Sequence, residues 1–137
     1  MGKIIALQGK ANSGKSEAIT ILATILKQNG YQSLAGSFKQ YGKDFKEVFT
    51  NGVIIVGVTS AGDDYRRVHD RLKDFVNQGC DVCICACRTA DRKPPGTIAA
   101  AKSFAGYPAK FVKKTVAPQA QWLTANTADA QHLYSLI

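Results

Sequence analysis

No stretch of this 137-residue chain approaches the roughly 18–20 consecutive apolar residues that a membrane-spanning helix requires. The first apolar run, Ile4–Leu7, is far too short for a secretory signal, and glycine and lysine follow at once. Gly2 does not make a myristoylation site, because Ala6 stands where that motif needs Ser or Thr. The expected compartment is therefore the cytoplasm, with no membrane partner. No internal repeat and no linker-like stretch interrupts the chain, so residues 1–137 are expected to form a single domain. Acidic residues are scarce: 10 Asp and Glu against 18 Lys and Arg leave a net charge of +8. That excess suits phosphate-bearing partners, either nucleotides or nucleic acid. The lysines are scattered rather than gathered in a block, as lysines that only keep a surface hydrated also are. Cysteine is confined to "CDVCICAC", where Cys83, Cys85 and Cys87 alternate. A strand puts them on one face about 7 Å apart, which neither converges on a tetrahedral ion nor permits disulfides between them. They are expected as reduced, buried, small hydrophobes. His69 has no partner in the sequence that would make it catalytic.

What is present reads as strands alternating with helices. "KIIALQ" (3–8) predicts a short buried strand and residues 15–29 a helix with Ile19, Leu22, Ile25 and Leu26 on one face, ended by Gly30. A second strand is expected over 31–38. Asn51-Gly52 between apolar runs predicts an antiparallel hairpin over about 45–59. A helix over 60–79 follows, with Val68, Leu72, Phe75 and Val76 on its apolar face, then a strand over 80–87. A charged loop (88–96), a short helix (97–106), a last strand (109–117) and a helix near 128–137 complete the pattern. This order implies an α/β fold of three layers, a mostly parallel sheet with one β-hairpin and helices on both faces.

The segment "GKANSGKS" carries the clearest chemistry. Gly9, Gly14, Lys15 and Ser16 complete the pattern G-x-x-x-x-G-K-[ST] between a strand and a helix, the P-loop (Walker A) arrangement. Glycines let the backbone curl so that several N–H groups point at phosphate oxygens. The helix that follows offers its positive end to the same anion. The segment Gly9, Lys10, Ala11, Asn12, Ser13, Gly14, Lys15, Ser16 and Glu17 is thus the expected nucleotide-binding stretch. Lys15 supplies a mobile charge for the outer phosphates, and Ser16 a hydroxyl suited to Mg²⁺. Lys10 either touches phosphate or faces solvent.

P-loop proteins commonly complete the Mg²⁺ shell with a carboxylate at the end of a neighbouring strand. Here Thr59 ends the strand, and Asp63 and Asp64 follow. They either reach the metal or sit in the first turn of the next helix, where carboxylates favour its dipole; Asp63 is the candidate for metal and catalysis. Arg88 and Arg92 begin where the strand over 80–87 ends, the side of a parallel sheet on which ligands bind. Guanidinium groups there would offset the charge of a transferring phosphoryl group, or form a solvated basic loop. Arg67 and Arg71 share a helix face, and surface pairing with Asp63, Asp70 or Asp74 is expected of them.

"GKANSGK" after "IIAL" resembles the phosphate loop of phage-type deoxynucleoside monophosphate kinases. "VGVTSAGDDYRRV…NQGCDVCICACR" is similar in layout to a later stretch of that family: a strand, an acidic turn, a helix, a glycine and a strand ending in arginine. The resemblance implies transfer of the terminal phosphate of ATP to a nucleoside monophosphate with Mg²⁺. Lys15 and Ser16 would hold ATP and metal, and Arg88 and Arg92 would act as lid arginines. The turn "TSAGDD" also resembles the phosphate-sensing turn of small GTPases, but "RTAD" departs from the guanine-reading N-K-x-D, which argues against GTP selectivity. The leading expectation is a Mg-ATP-binding phosphotransferase with a small nucleotide-like acceptor. The alternatives are an ATP hydrolase and a nucleotide-dependent module that binds nucleic acid.

Overall fold

The apolar run after Gly2 forms strand β1 (Lys3–Gln8), and its alternating side chains feed two different cores. Ile5 and Leu7 point to one face of the sheet, Ile4 and Ala6 to the other. The computed structural model describes residues 2–137. After β1 come α1 (Lys15–Gln28), β2 (Gln32–Ser33), β3 (Lys39–Tyr41), β4 (Asp44–Thr50), β5 (Ile55–Thr59), α2 (Tyr65–Asn77) and β6 (Val82–Cys87). Then follow α3 (Thr97–Lys102), β7 (Ala109–Lys113), a 3₁₀ turn (Gln119–Gln121) and α4 (Trp122–Ser135). No helix is long and apolar enough to cross a membrane among the described residues.

The seven strands form one sheet in the order β2-β4-β5-β6-β1-β7, with β3 paired to β4 beyond the reach of β2. Strands β5, β6, β1 and β7 run parallel, and β4 pairs antiparallel with β2, β3 and β5. The sheet is therefore mixed, parallel over one half and antiparallel over the other, where a mostly parallel sheet was expected. The difference arises in the segment 31–43. It yields only the two-residue β2, then a turn, then β3 hairpinned onto β4 through Gly42. Beyond the buried Tyr31, no alternating apolar pattern holds residues 32–38 against a core, and Gln32, Ser33, Leu34 and Phe38 are exposed.

The hairpin at Asn51-Gly52 forms as the sequence predicts, between β4 and β5. The Asn51 side-chain oxygen accepts from the backbone N–H groups of Val53 and Ile54, so the connection spans residues 51–54 rather than two residues. Helix α2 begins at Tyr65 because the Asp64 carboxylate caps it, accepting from the Arg67 N–H at 2.9 Å. The last helix begins at Trp122, six residues before the expected start at 128.

Helices α1 and α4 pack on one face of the sheet with Phe49, Val56, Val58 and Ile84. Helices α2 and α3 cover the other, where Val68, Leu72, Phe75, Ala100 and Ala101 meet Ile4, Val48 and the cysteines. Each fully buried Leu, Ile or Phe in these layers contributes about 1.5–3 kcal/mol. Gly57 of β5 is required by this packing, since a Cβ there would stand 2.4 Å from the Phe75 ring. Cys83, Cys85 and Cys87 line up on the α2–α3 side, free and buried, as their alternation predicts. A hydrogen bond with Cys80, together with burial, pushes the Cys83 thiol far up, and burial does the same to Cys85. Cys87 is pushed up to about 12 by burial, so these sulfurs stay protonated and apolar.

One buried ion pair fastens the end of β7 to α4. The Lys114 ammonium lies 2.8 Å from the Asp129 carboxylate, and both side chains are nearly sealed from solvent. The Thr115 N–H and hydroxyl also donate to Asp129. Burial alone would raise the Asp129 carboxyl, but these donors outweigh it and hold the group below the ordinary aspartate value of 3.8. A depressed carboxyl contributes stability that is complete above pH 3.8 and is lost as pH falls through the lower folded-state value. Asp129→Asn leaves the Lys114 cation buried and unpaired. It should lower unfolding free energy by about 3–5 kcal/mol at neutral pH, read as the midpoint of a urea titration. A midpoint within error of the parent would show that the pair holds nothing.

Candidate functional site

The glycine-rich segment leaves the sheet at the carboxyl end of β1 and curls directly into α1. Parallel pairing sets Gln8 opposite Cys87, and the Gly9 N–H continues the ladder by donating to the Cys87 carbonyl at 3.0 Å. The loop then turns through two left-handed residues, Asn12 (φ 58) and Gly14 (φ 96). Asn is one of the few non-glycine residues that accept this conformation readily. Gly14 is fixed twice over: its φ disfavours a side chain, and a Cβ would sit 2.7 Å from the Asn126 Oδ1 of α4. No side chain caps α1, so its first amides are free to meet a ligand.

Lys15 lies over the loop it belongs to. Its Nζ donates to the Gly9 carbonyl at 2.8 Å and to the Lys10 carbonyl at 2.7 Å. An ammonium has three donors, so one remains for an anion held in the curl. Burial pushes this ammonium below the ordinary lysine value of 10.5. Asp63 opposes that shift, and Arg88 adds to it. The three groups therefore share one electrostatic neighbourhood.

A cleft of about 1490 Å³ opens over the loop. Ala11 to Glu17 line it from the loop, and Asp63 and Arg88 line it from the turns after β5 and β6. One end is bounded by the β3–β4 turn, with Tyr41, Lys43 and Asp44, and by Arg67 and Arg71 of α2. The other is bounded by Trp122, Leu123 and Asn126 at the start of α4. The charged lining is Lys15, Lys43, Arg67, Arg71 and Arg88 against Glu17, Asp44 and Asp63, so the cleft favours anions.

The two acidic residues after β5 divide their roles. Asp64 is the helix cap, paired with Arg67 at 3.3 Å. Asp63 faces the cleft and accepts from Arg88 Nη2 at 3.1 Å. Thr59 is buried and committed to the sheet, donating to the Phe45 carbonyl and accepting from the Ala61 N–H. Among the described residues no group of three or more His, Cys, Asp or Glu converges on a metal position. Ser16 and Asp63 border the same cleft and offer oxygen ligands, so a hard cation there would complete its shell with phosphate oxygens and water.

Arg92 does not line the main cleft, but it shares a second, adjoining cleft of about 610 Å³ with Lys10, Asp63 and Arg88, so the loop's outer lysine and this arginine form a basic rim beside the main site. Arg71 forms no pair with Asp70 or Asp74. Its guanidinium lies 3.7 Å from the centre of the Tyr41 ring, and Asp74 is taken by Lys46 instead. His69 is stacked between Tyr65 and Phe104, at 5.2 and 5.0 Å, and lines neither cleft.

The sequence reading missed Tyr41, Lys43, Asp44, Trp122 and Asn126. The Tyr-Gly-Lys-Asp stretch at 41–44 was a turn signal that could have marked the first three. Nothing local marked the start of α4, whose place is set by packing on α1.

Because Asp63 raises the Lys15 pKa, Asp63→Asn should move it further down. A ¹³Cε titration of Lys15 should have a midpoint below 10.5 in the parent and a lower one still in the variant. An upward or absent shift would separate the two groups. No protein-family model, no curated protein and no solved structure matches this chain, so the site is read from its own residues and their geometry.

Proposed function

We propose that this chain is a P-loop protein that binds Mg-ATP and transfers its terminal phosphoryl group to a small, nucleotide-like acceptor. One observation carries the choice. Two side-chain nitrogens, Arg71 Nε and Arg88 Nε, are buried without any hydrogen-bond partner, and both arginines border the cleft that contains the glycine loop. Buried unpaired donors are costly, and a bound anion would satisfy them. Arg88 lies at the loop. Arg71 lies toward the far end beside Tyr41, Lys43 and Arg67, where a second anionic molecule would fit. A hydrolase needs room only for water there, so this basic, aromatic end supports an acceptor.

In the proposed reaction the loop amides and Lys15 hold the outer phosphates, and the γ-phosphorus is attacked in line by an acceptor oxygen. The bond from the γ-phosphorus to the β–γ bridging oxygen breaks as the new P–O bond forms, and ADP leaves. Ser16 and Asp63 would hold Mg²⁺, which supplies positive charge to the β- and γ-oxygens when bound. Arg88 would turn from Asp63 toward the phosphoryl oxygens, where its charge stabilises the transition state. The acceptor is oriented by Arg71 and Arg67. Catalysis is then positioning and electrostatics.

Labelled ATP incubated with a panel of nucleoside monophosphates tests the reading: label should appear on an acceptor. Label in inorganic phosphate would identify a hydrolase. No transfer combined with salt-sensitive retention of RNA or DNA would identify a nucleic-acid-binding module. Lys15→Ala should abolish nucleotide retention. Arg88→Ala should lower kcat about a hundredfold while changing ATP affinity less than about threefold. Arg71→Ala should raise the acceptor KM about tenfold and leave the ATP KM unchanged.

A further inference from the structure

The cleft has two ends, and sheet order puts them on opposite sides of the loop. β4, which leads out of the Tyr41–Asp44 turn, lies on one side of β1 and β6, while β7, which leads to α4, lies on the other. The end at α4 differs in chemistry from the end at α2. From α4 it presents Trp122, Leu123 and Asn126, none of them charged. Leu123 is 73% exposed, a large apolar side chain left at the rim of a polar cleft. The Trp122 Nε1 donates to the Ala117 carbonyl at 3.0 Å. Its polar atom is thus satisfied internally, and the cleft meets the apolar part of the indole. Asn126 is only 4% exposed and stands directly over Gly14. Among the described residues no hydrogen bond to its side-chain amide is formed.

We propose that the α4 end of the cleft is a nucleobase subsite. Trp122 and Leu123 lie against the base, and Asn126 meets the sugar of the nucleotide whose phosphates occupy the loop. This rests on the phosphate-binding reading above and adds the direction of the nucleotide to it. An amide offers one donor group and one acceptor, which matches sugar hydroxyls. A flat apolar surface matches a base, and sequence-tolerant stacking follows because every base has a π-face. Phosphates then run from α4 across the loop toward Asp63 and Arg88. The terminal phosphorus faces the Arg71 end, as in-line transfer to an acceptor there requires.

Trp122 is the only tryptophan in the chain, so its fluorescence reports on this subsite alone. Mg-ATP and Mg-tripolyphosphate are titrated into the intact protein, with calorimetry for affinity and fluorescence for contact. ATP should bind at least about tenfold more tightly than tripolyphosphate and change Trp122 emission, which tripolyphosphate should leave alone. Trp122→Ala and Leu123→Ser should each weaken ATP binding, the former about tenfold, with less than a twofold effect on tripolyphosphate; Trp122→Phe should restore most of the loss. Leu123→Ser alters an exposed residue, so it keeps the test valid if Trp122→Ala fails to fold. Equal affinity for the two ligands, or ATP affinity untouched by both substitutions, would overturn the subsite while leaving the phosphate loop standing. Binding of neither ligand would overturn both.

Discussion

The parallel pairing of β1 with β6 is the constraint on which the site depends. Their register ends both strands at one level, Gln8 opposite Cys87, so the glycine loop and Arg88 leave the sheet side by side. The Gly9 N–H to the Cys87 carbonyl extends the ladder one step into the loop, and the Gln8 amide donates to the Arg88 carbonyl. These bonds join the loop to the arginine backbone before any ligand arrives. Because β6 also pairs with β5, the turn carrying Asp63 reaches the same mouth. Three separate segments are thus brought together by one set of backbone hydrogen bonds, and a slip of one residue in β6 would exchange the faces on which Ile84 and the cysteines are buried.

Charge placement follows from that geometry. Lys15 is held by carbonyls of its own loop, and its burial makes the ammonium easier to deprotonate than an ordinary lysine. Asp63 offsets part of that cost, and Arg88 holds Asp63. The arrangement keeps three charges close without requiring any of them to be fully sealed: Asp63 and Arg88 remain partly in solvent. An exposed pair of this kind contributes little to stability. It would therefore open readily for the phosphate and cation of the proposed reaction. The buried Lys114–Asp129 pair has the opposite character. It is nearly sealed, hydrogen-bonded on several sides, and serves to seat α4 beside the loop.

Much of this was legible in local residues. The loop, the strand before it and the helix after it follow from glycine spacing and periodicity within residues 3–29. The β4–β5 hairpin follows from Asn51-Gly52, and the shared face of Cys83, Cys85 and Cys87 from a period of two. Asp63 and Arg88 were identifiable as candidates, since each follows the end of an apolar strand. Their partnership was not, because a 25-residue separation is closed only by strand order. The same holds for Arg71. Its sequence neighbours offer carboxylates at short helical spacing, yet its guanidinium lies on Tyr41, a residue from a hairpin with no apolar alternation to announce it.

The amino-acid sequence by itself determined the glycine-rich curl, because that shape depends on which few residues tolerate left-handed backbone and on where a helix begins. It also determined the two-faced strands that make the fold α/β. Only the tertiary structure decided which carboxylate faces the cleft and which caps a helix, which arginines meet it, and what stands at either end. Those outcomes turn on strand order and helix packing, which join residues far apart in the chain and leave no local periodic trace.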